Sequence, residues 1–485
     1  MSPVYDVFVG LARTVTYGTI WVALTSLESS INDDRGIKGS LQVKHNPAIS
    51  QGIKENQEIK GDHGIKYNQQ IENYPGIKED HGIDIFQRIK KHPRIIKYNL
   101  TRETKDRIPI SKVLQTNCSA IFMNKSEVIE NAQNYMDIAR KISHIPSDYI
   151  KLCEDCEKFH ETRKYILNPV NSAEYDFPLA FDVLLYKDVE QFERLLHAIY
   201  RPWNYYCIHV DAKTDPEIFE AVKSIVDCLV NVFISSRRVD VQWGDFSVLE
   251  PNLICMQDLW KYKKWKYYIN LTGQELPLRS NLELVGILRG FNGANNVRGS
   301  SIWSKGDHER WKWKAAPIPY NLTLYKGEIH IAASRAFVDY VLHNEVSHAL
   351  IEWLKDTGHP DETFFPTLNH NPQVGVPGSV IGVPETNRET YLLRYKHWIT
   401  SEWYPGMKCH GKYARNICIP GLRNLHDIVN AHQFFLNKLE LNFQPFVMDC
   451  LEEWYFEKVH TEYQTGYAQI DLTYYAQFPF VKNHV

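Results

Sequence analysis

Short motifs that identify several common enzyme classes are missing from this 485-residue chain. It contains no GxxxxGKS or GxxxxGKT loop, no GxGxxG after the first predicted strand, no HExxH and no GxSxG. The usual signatures of P-loop NTPases, dehydrogenases, zincins and serine hydrolases are therefore absent. The Asp-x-Asp triplet, with which many sugar-nucleotide enzymes hold a divalent metal ion, is also absent. A diphosphate ligand would need arginine or lysine side chains to neutralise it.

The chain has no large excess of charge of one sign. Its 55 Lys and Arg residues and 58 Asp and Glu residues give a formal net charge of −3, and the basic clusters are short. Proteins that bind nucleic acid usually present a basic surface, so the composition favours no nucleic-acid partner. Hydrophobic residues make up 44% of the chain, which is enough for a substantial core.

Long uninterrupted hydrophobic runs are scarce. Val7–Leu27 has about the length of a membrane span, but Arg13 and several Thr and Gly residues interrupt it. A signal-peptide core and an error in the predicted first exon are alternatives, and we interpret residues 1–30 as a short cytoplasmic tail with a signal anchor. Residues 31–114 carry a polar, loose Gly-Ile repeat that predicts a disordered stem. A globular domain is then expected over residues 115–485.

The cysteines follow no metal-binding pattern. Cys153-x-x-Cys156 could form half of a zinc site, but no second pair stands near it. Nine irregularly spaced cysteines fit disulfide bonds, with one left unpaired. Five Asn-x-Ser/Thr sequons begin at Asn99, Asn117, Asn124, Asn270 and Asn321. Together they favour the lumen of the secretory pathway, whereas a cytosolic α/β enzyme would need reduced cysteines.

From Phe177 the sequence alternates between strand and helix patterns. Apolar segments at 178–186, 205–211, 231–235 and 266–271 predict strands. The segment VEQFERLLHAIY between the first two predicts a helix with one buried face, because its apolar residues recur at helical spacing. Repeated βαβ units predict a mostly parallel sheet flanked by helices, with ligands at the carboxyl ends of the strands. Asp211 lies at such an end, where it could bind uracil or ribose or cap a turn.

Two adjacent carboxylates, Asp361 and Glu362, stand between a proline and two phenylalanines in GHPDETFFPTL. Partial desolvation against aromatic rings raises the pKa of a carboxyl group towards the range useful to a general base. Pro-Asp-Glu is also an ordinary start for a helix, and spacing alone favours that N-cap interpretation.

Several blocks resemble, in order and spacing, the core 2/I-branching β-1,6-N-acetylglucosaminyltransferases. They include IHVDAK, CMQDLW, WKYYINLTGQELPLRSNLELV, ERWK, DTGHPDETFFPTL and CHGKYARNICIPGLRNLHDIV. The resemblance spans roughly Cys118 to Cys450. It implies a GT-A-like, Rossmann-like fold, with a nucleotide-binding half at 177–290 and an acceptor and catalytic half at 291–455. It also implies a type II Golgi membrane protein that uses UDP-GlcNAc as donor and inverts the anomeric carbon without a metal ion.

The resemblance assigns roles to individual residues. Glu362 is implied to be the catalytic base that takes the proton from the acceptor's 6-hydroxyl, with Asp361 as a capping or orienting neighbour. Arg415 and Lys438 are implied to bind the diphosphate and stabilise the leaving UDP. On the uridine side, the implied contacts are Asp211 and Leu184.

The acceptor residues match the family less completely. Arg310 matches, whereas the expected Lys aligns with Asp307, near Lys305, and the expected Glu falls near Gly299. An aromatic pair after the base aligns with Tyr395 and His397, of which Tyr395 can still stack on a sugar. The donor chemistry is therefore expected to be intact, while the acceptor is less closely defined.

The family's disulfide pairing, carried over to this chain, leaves Cys153 unpaired. The implied bonds are Cys118–Cys450, Cys156–Cys228, Cys207–Cys255 and Cys409–Cys418. The last of them would fix the loop that carries Arg415. Asn270 lies in a predicted central strand, so we expect it to carry no glycan.

The favoured function is an inverting, metal-independent GlcNAc transferase that needs no cofactor and branches a mucin-type O-glycan, in the simplest case Galβ1-3GalNAc. Alternatives in the same superfamily are I-type branching of poly-N-acetyllactosamine and xylose transfer to serine. A catalytically inactive lumenal sugar-binding protein is the alternative from another class, but a pure binder has no use for a base. The sequence leaves open whether the chain forms a homodimer.

Overall fold

The computed structural model describes residues 116–139, 144–301, 309–311, 316–382, 391–399 and 408–485. The predicted anchor (1–30), the Gly-Ile stem (31–114), Lys305 and Asp307 lie outside these ranges. Within them, no helix combines the length and the apolar character that a bilayer crossing requires.

The described part of the chain contains a central sheet whose strands follow the predicted apolar segments. The strands of the whole described region are β1 Leu179–Leu185, β2 Tyr205–Val210, β3 Val232–Ile234, β4 Tyr267–Thr272, β5 Glu275–Pro277, β6 Asn296–Ser300, β7 Lys326–Ser334, β8 Arg394–Tyr395, β9 Lys412–Ala414, β10 Ile417–Ile419 and β11 Phe435–Asn437. The central sheet has the order β3-β2-β1-β4-β7-β6, in which β3, β2, β1 and β4 are parallel, β7 is antiparallel to β4, and β6 is antiparallel to β7. The predicted mostly parallel α/β sheet is confirmed.

Helices cover both faces of this sheet. The helices of the whole described region are α1 Cys118–Phe122, α2 Ser126–Ala139, α3 Pro146–Cys153, α4 Cys156–Arg163, α5 Ser172–Tyr175, α6 Val189–Ile199, α7 Pro216–Asp227, α8 Glu250–Trp260, α9 Asn281–Gly290, α10 Arg335–His343, α11 Glu345–Leu354, α12 Phe364–Asn369, α13 Leu425–Val429, α14 Pro445–Thr465, α15 Leu472–Ala476 and α16 Pro479–Lys482. Two apolar clusters fill the space between the sheet and the helices, one on each face.

Helix α6 is buried more completely than its apolar spacing predicts. Its polar residues Glu193 and Arg194 are also buried. Arg163 pairs with Glu193 at 2.5 Å, and Arg194 forms ion pairs at 2.6 Å with both Asp449 and Glu452. The prediction of one buried face was wrong because charged partners from α4 and α14 let the second face be covered too.

Two smaller sheets lie beside the central one. Strands β5, β11 and β8 form a three-stranded sheet in which β11 is antiparallel to β5 and parallel to β8. Strands β9 and β10 form an antiparallel hairpin. Arg415 and Asn416 at its turn have φ values of 51° and 64°, as a type I′ turn requires. These two sheets carry Lys438, directly after β11, and Arg415.

Four disulfide bonds join distant parts of the described chain, and they are the pairs that the family resemblance implies. They are Cys118–Cys450, Cys156–Cys228, Cys207–Cys255 and Cys409–Cys418. Cys153 is a buried free thiol. The last bond closes the hairpin that carries Arg415, across a sequence separation of only 9 residues.

Asn270 lies inside the central sheet and is only 2% exposed. Its amide nitrogen donates to the carbonyl oxygen of Ile329, and its amide oxygen accepts from the backbone nitrogen of Ile331, both at 2.8 Å. A glycan on Asn270 would break these contacts with β7, which agrees with the expectation that this sequon is not used.

Candidate active site

The carboxyl edge of the parallel strands carries the two predicted uridine contacts. Leu184 is half-buried near the end of β1, opposite His209 of β2 and Thr272 of β4. Asp211 directly follows β2 and accepts hydrogen bonds from both nitrogens of Lys213, at 3.0 Å from the backbone and 2.7 Å from the side chain. The carboxylate thus caps a turn while lying at the edge where such sheets bind nucleotides.

The predicted base lies in a single 3-10 turn, Pro360–Glu362, that follows α11 and precedes α12. The N-cap positions of this turn and of α12 are taken by His359 and Thr363, and neither side chain caps. Pro-Asp-Glu therefore does begin a short helical turn, as the alternative interpretation expects, but Asp361 and Glu362 lie inside that turn and neither takes an N-cap position.

The two adjacent carboxyl groups have opposite environments. Glu362 is one-third exposed, and its Oε2 lies 2.6 Å from Nη1 of Arg310, the predicted acceptor contact. Asp361 is only 8% exposed. Burial, and then the charge of Glu362, raise the pKa of Asp361 to about 7. The desolvation expected from the apolar surroundings thus acts on Asp361, while Glu362 keeps the access that a general base needs.

Trp243 connects the base turn with Arg415. The guanidinium of Arg415 lies 5.6 Å from the Trp243 ring centroid, within cation–π distance. The same indole meets the imidazole of His359 edge to face, with centroids 4.7 Å apart. The backbone nitrogen of His359 also donates to the carbonyl oxygen of Gly244 at 2.8 Å. Two side chains, those of Trp243 and His359, therefore connect Arg415 to the turn that carries Glu362.

Sequence reasoning did not identify Trp243, a residue that is 69% exposed. It lies in the loop after β3, and such loops emerge at the carboxyl edge where ligands bind. An aromatic residue in that position was the available signal. Its exposure beside a cation and a histidine would suit contact with a flat ligand.

Lys438 and Arg415 form a cationic pair at this site. Burial lowers the pKa of Lys438, and the nearby charges of Arg415 and Lys396 lower it further. Like charges are brought together at a cost that a bound anion removes, so this arrangement suits a diphosphate. Lys412 on the hairpin and Glu440 after β11 form an ion pair at 2.5 Å that ties the two cation-bearing segments together.

Tyr395 and His397 lie on and just after β8. Tyr395 is only 4% exposed and packs in an apolar cluster that includes Leu436 of β11. His397 is also buried and meets the ring of Tyr413 edge to face, with centroids 6.3 Å apart. The structure brings the two residues together around a small cavity but leaves little ring surface for stacking on a sugar. Their role in binding the acceptor stays a prediction.

Gly299, where the resemblance expects a glutamate, has no room for a side chain. A Cβ atom there would lie 2.4 Å from Cε1 and Nδ1 of His370. The imidazole is fixed by a 2.8 Å hydrogen bond between Nδ1 and the carbonyl oxygen of Pro366, and it packs on Tyr325. Burial lowers the pKa of His370 to about 4, so the ring is neutral. His370 thus occupies the space that a side chain at position 299 would enter.

We expect Gly299→Glu to destabilise the protein by about 1–3 kcal/mol, the usual range for overpacking. The double variant Gly299→Glu/His370→Ala should recover part of the loss, because it removes the ring that the new side chain meets. Chemical denaturation of the three proteins measures both effects. Equal stability of Gly299→Glu and the parent would show that the ring moves aside freely.

Within the described ranges, no group of three or more His, Cys, Asp or Glu side chains is placed to hold a metal ion. The structure brings Glu362, Arg310 and Arg415 together through Trp243 and His359, and Lys438 joins Arg415. Asp211 and Leu184 lie at the carboxyl edge of the same domain. The carboxylate can remove a proton, and the Arg415 and Lys438 cations can stabilise a departing anion.

Comparison with known proteins agrees with this geometry. Residues 179–429 match the family model described as Core-2/I-Branching enzyme. The chain is 36% identical over 362 residues to beta-1,3-galactosyl-O-glycosyl-glycoprotein beta-1,6-N-acetylglucosaminyltransferase 3 of Homo sapiens, covering 70% of this chain and 82% of that protein. It is also 36% identical over 361 residues to the Bos taurus protein of that name, covering 70% of this chain and 81% of the relative. These similarities show that the chain belongs to the core 2/I-branching enzyme family of glycosyltransferases.

Proposed function

We propose that this protein transfers GlcNAc from UDP-GlcNAc to the 6-hydroxyl of an O-glycan acceptor, Galβ1-3GalNAc, with inversion and without a metal ion. The observation that carries the proposal is the joining of Glu362, with its Arg310 partner, to the Arg415–Lys438 cations through Trp243 and His359. The similar proteins of Homo sapiens and Bos taurus are named for β-1,6-GlcNAc transfer to β-1,3-galactosyl-O-glycosyl-glycoprotein.

In the proposed reaction, the acceptor's 6-oxygen attacks C1 of GlcNAc from the face opposite UDP. The bond from C1 to the β-phosphate oxygen breaks, and the hydroxyl proton passes to the carboxylate of Glu362. Arg310, 2.6 Å from Glu362, orients that carboxylate and is proposed to contact the acceptor. Arg415 and Lys438 stabilise the charge that develops on the leaving UDP.

We further propose a Golgi membrane location with the catalytic domain in the lumen and residues 1–30 as the anchor. The disulfide bonds support the oxidising compartment, since such bonds persist in the secretory pathway and are rare in the cytosol.

The test is transfer from UDP-GlcNAc to Galβ1-3GalNAc by the purified chain in the presence of EDTA, with the product linkage determined by NMR. A β-1,6-linked product is expected. Abolition of transfer by EDTA would contradict the role given to Arg415 and Lys438. If the folded chain binds UDP but forms no product, Galβ1-3GalNAc is not its acceptor. Poly-N-acetyllactosamine, and serine peptides with UDP-xylose, would then be tried before an inactive sugar-binding protein is concluded.

A further inference from the structure

Three charged side chains from separate parts of the chain meet at the edge of the central sheet. Arg298 of β6 lies with Nη1 3.3 Å from Oε1 of Glu328 on β7, and Nζ of Lys396, just after β8, pairs with the other carboxylate oxygen. None of the three side chains is more than 15% exposed. We call them the Glu328 cluster. Burying three charges is expensive compared with apolar packing, so stability alone gives a weak reason for the cluster.

The strand register places the Glu328 cluster at the carboxyl edge of the parallel strands. Strand β7 is antiparallel to β4, with Ala332 opposite Ile269, so the beginning of β7 lies beside the end of β4. Strand β6 runs antiparallel to β7 and ends at Ser300, opposite Lys326. Arg298 and Glu328 thus lie at the same edge as Asp211 and Leu184.

Within that edge, the Glu328 cluster lies between the cations and the base turn. Strands β8 and β11 are parallel with Tyr395 opposite Leu436, which brings Lys396 to the end of β11 where Lys438 begins. At the other end, β7 packs on the segment that follows Glu362. A Cβ atom on Gly327 would lie only 2.7 Å from Cγ of Pro366.

We propose that Glu328, oriented by Arg298 and Lys396, binds the sugar that is transferred, by accepting hydrogen bonds from hydroxyl groups of the hexose on the nucleotide donor. The inference rests on the proposed function, because the reacting C1 must lie between Glu362 and the two diphosphate cations. The sugar ring that contains this carbon then contacts the side chains that lie between Glu362 and the two cations.

The chemistry of Glu328 suits this role. Burial alone would raise the pKa of its carboxyl group, but Lys396 and Arg298 outweigh burial and hold the pKa below its usual range. An ionised carboxylate accepts about four hydrogen bonds and donates none. Arg298 and Lys396 use part of that capacity, and sugar hydroxyls are donors that fit the rest.

The test compares the binding of UDP and of UDP-GlcNAc to the full chain and to Glu328→Gln, by calorimetry. Hydrogen bonds to a charged group correspond to roughly tenfold to hundredfold in affinity. We expect Glu328→Gln to weaken the binding of UDP-GlcNAc by that factor and to keep the affinity for UDP within about twofold of the parent value. Asp449→Asn, which removes a carboxylate from another buried arginine cluster, is the matched control and should change neither affinity.

A second variant separates sugar recognition from structural ion pairing. Glu328→Gln/Lys396→Met removes one charge of each sign, so a cluster that only balances charge would regain its UDP-GlcNAc affinity. We expect no recovery. Equal weakening of UDP and UDP-GlcNAc would overturn the proposal and assign the cluster to the diphosphate. Unchanged UDP-GlcNAc affinity in Glu328→Gln, with transfer by the parent chain intact, would overturn it and leave the proposed function standing.

Discussion

Glu362→Gln is expected to lower kcat by about 10²–10⁴-fold, the usual range for the loss of a general base. The amide keeps the size of the side chain but cannot take the proton from the acceptor hydroxyl. UDP affinity should stay within about twofold, because the change leaves Arg415 and Lys438 in place. Initial rates with saturating donor and acceptor, together with calorimetry of UDP binding, measure both quantities.

The neighbouring carboxyl group provides the control. Asp361→Asn changes the same chemical group one residue away, but Asp361 is buried and its pKa is about 7, so a large fraction is already uncharged at neutral pH. We expect this variant to keep most of the transfer activity. If Asp361→Asn abolished transfer and Glu362→Gln kept it, the base would be Asp361 and the assignment made here would be wrong.

The sequence predicted the parallel strands of the central sheet well, because each of them can be recognised from its own short run of residues. Buried parallel strands appear as continuous apolar runs, and four such runs lie within one or two residues of β1, β2, β3 and β4. The position of Asp211 could be predicted from the same pattern, because the residue after a parallel strand lies at the carboxyl edge of the sheet. The two antiparallel strands β6 and β7 have no comparable signature and were not predicted individually.

The acid pair could not be resolved from spacing. Whether Asp361 or Glu362 is desolvated depends on which way each side chain leaves the 3-10 turn. It also depends on Arg310, which lies 52 positions before Glu362 and pairs with it. The pKa of Asp361 is raised, whereas Glu362 pairs with an arginine. No pattern in the neighbouring sequence indicates this difference.

The Glu328 cluster was missed for a related reason. Glu328 and Lys396 are 68 residues apart in sequence and meet only because a second, smaller sheet lies beside the central one. A lone glutamate near the start of a strand and a lysine between two aromatic residues look like solvated surface charges. Their burial becomes visible only when the strands are assembled.

Substitution of Arg415 or Lys438 should also lower the rate of transfer strongly. Removing one preorganised group that stabilises transition-state charge typically lowers kcat by about 10²–10³-fold, and we expect such a loss for both Arg415→Gln and Lys438→Met. Both should also weaken UDP binding, since the product carries the same diphosphate. Lys408→Met, an exposed lysine of the segment leading into the hairpin, is the control and should change neither quantity.

The double variant Arg415→Gln/Lys438→Met is expected to lose more than the product of the two single losses, because each single variant keeps a cation that partly compensates for the missing one. The charge of Arg415 contributes to lowering the pKa of Lys438, so removing Arg415 lets Lys438 hold its proton more firmly and recover part of the lost attraction. The residues are therefore coupled, and a double-mutant cycle on kcat/KM and on UDP affinity measures that coupling. If activity lost in the single variants returned on addition of Mn²⁺, a metal ion could replace the cations. If both single variants kept full activity in EDTA, the leaving UDP would have to be stabilised by other groups.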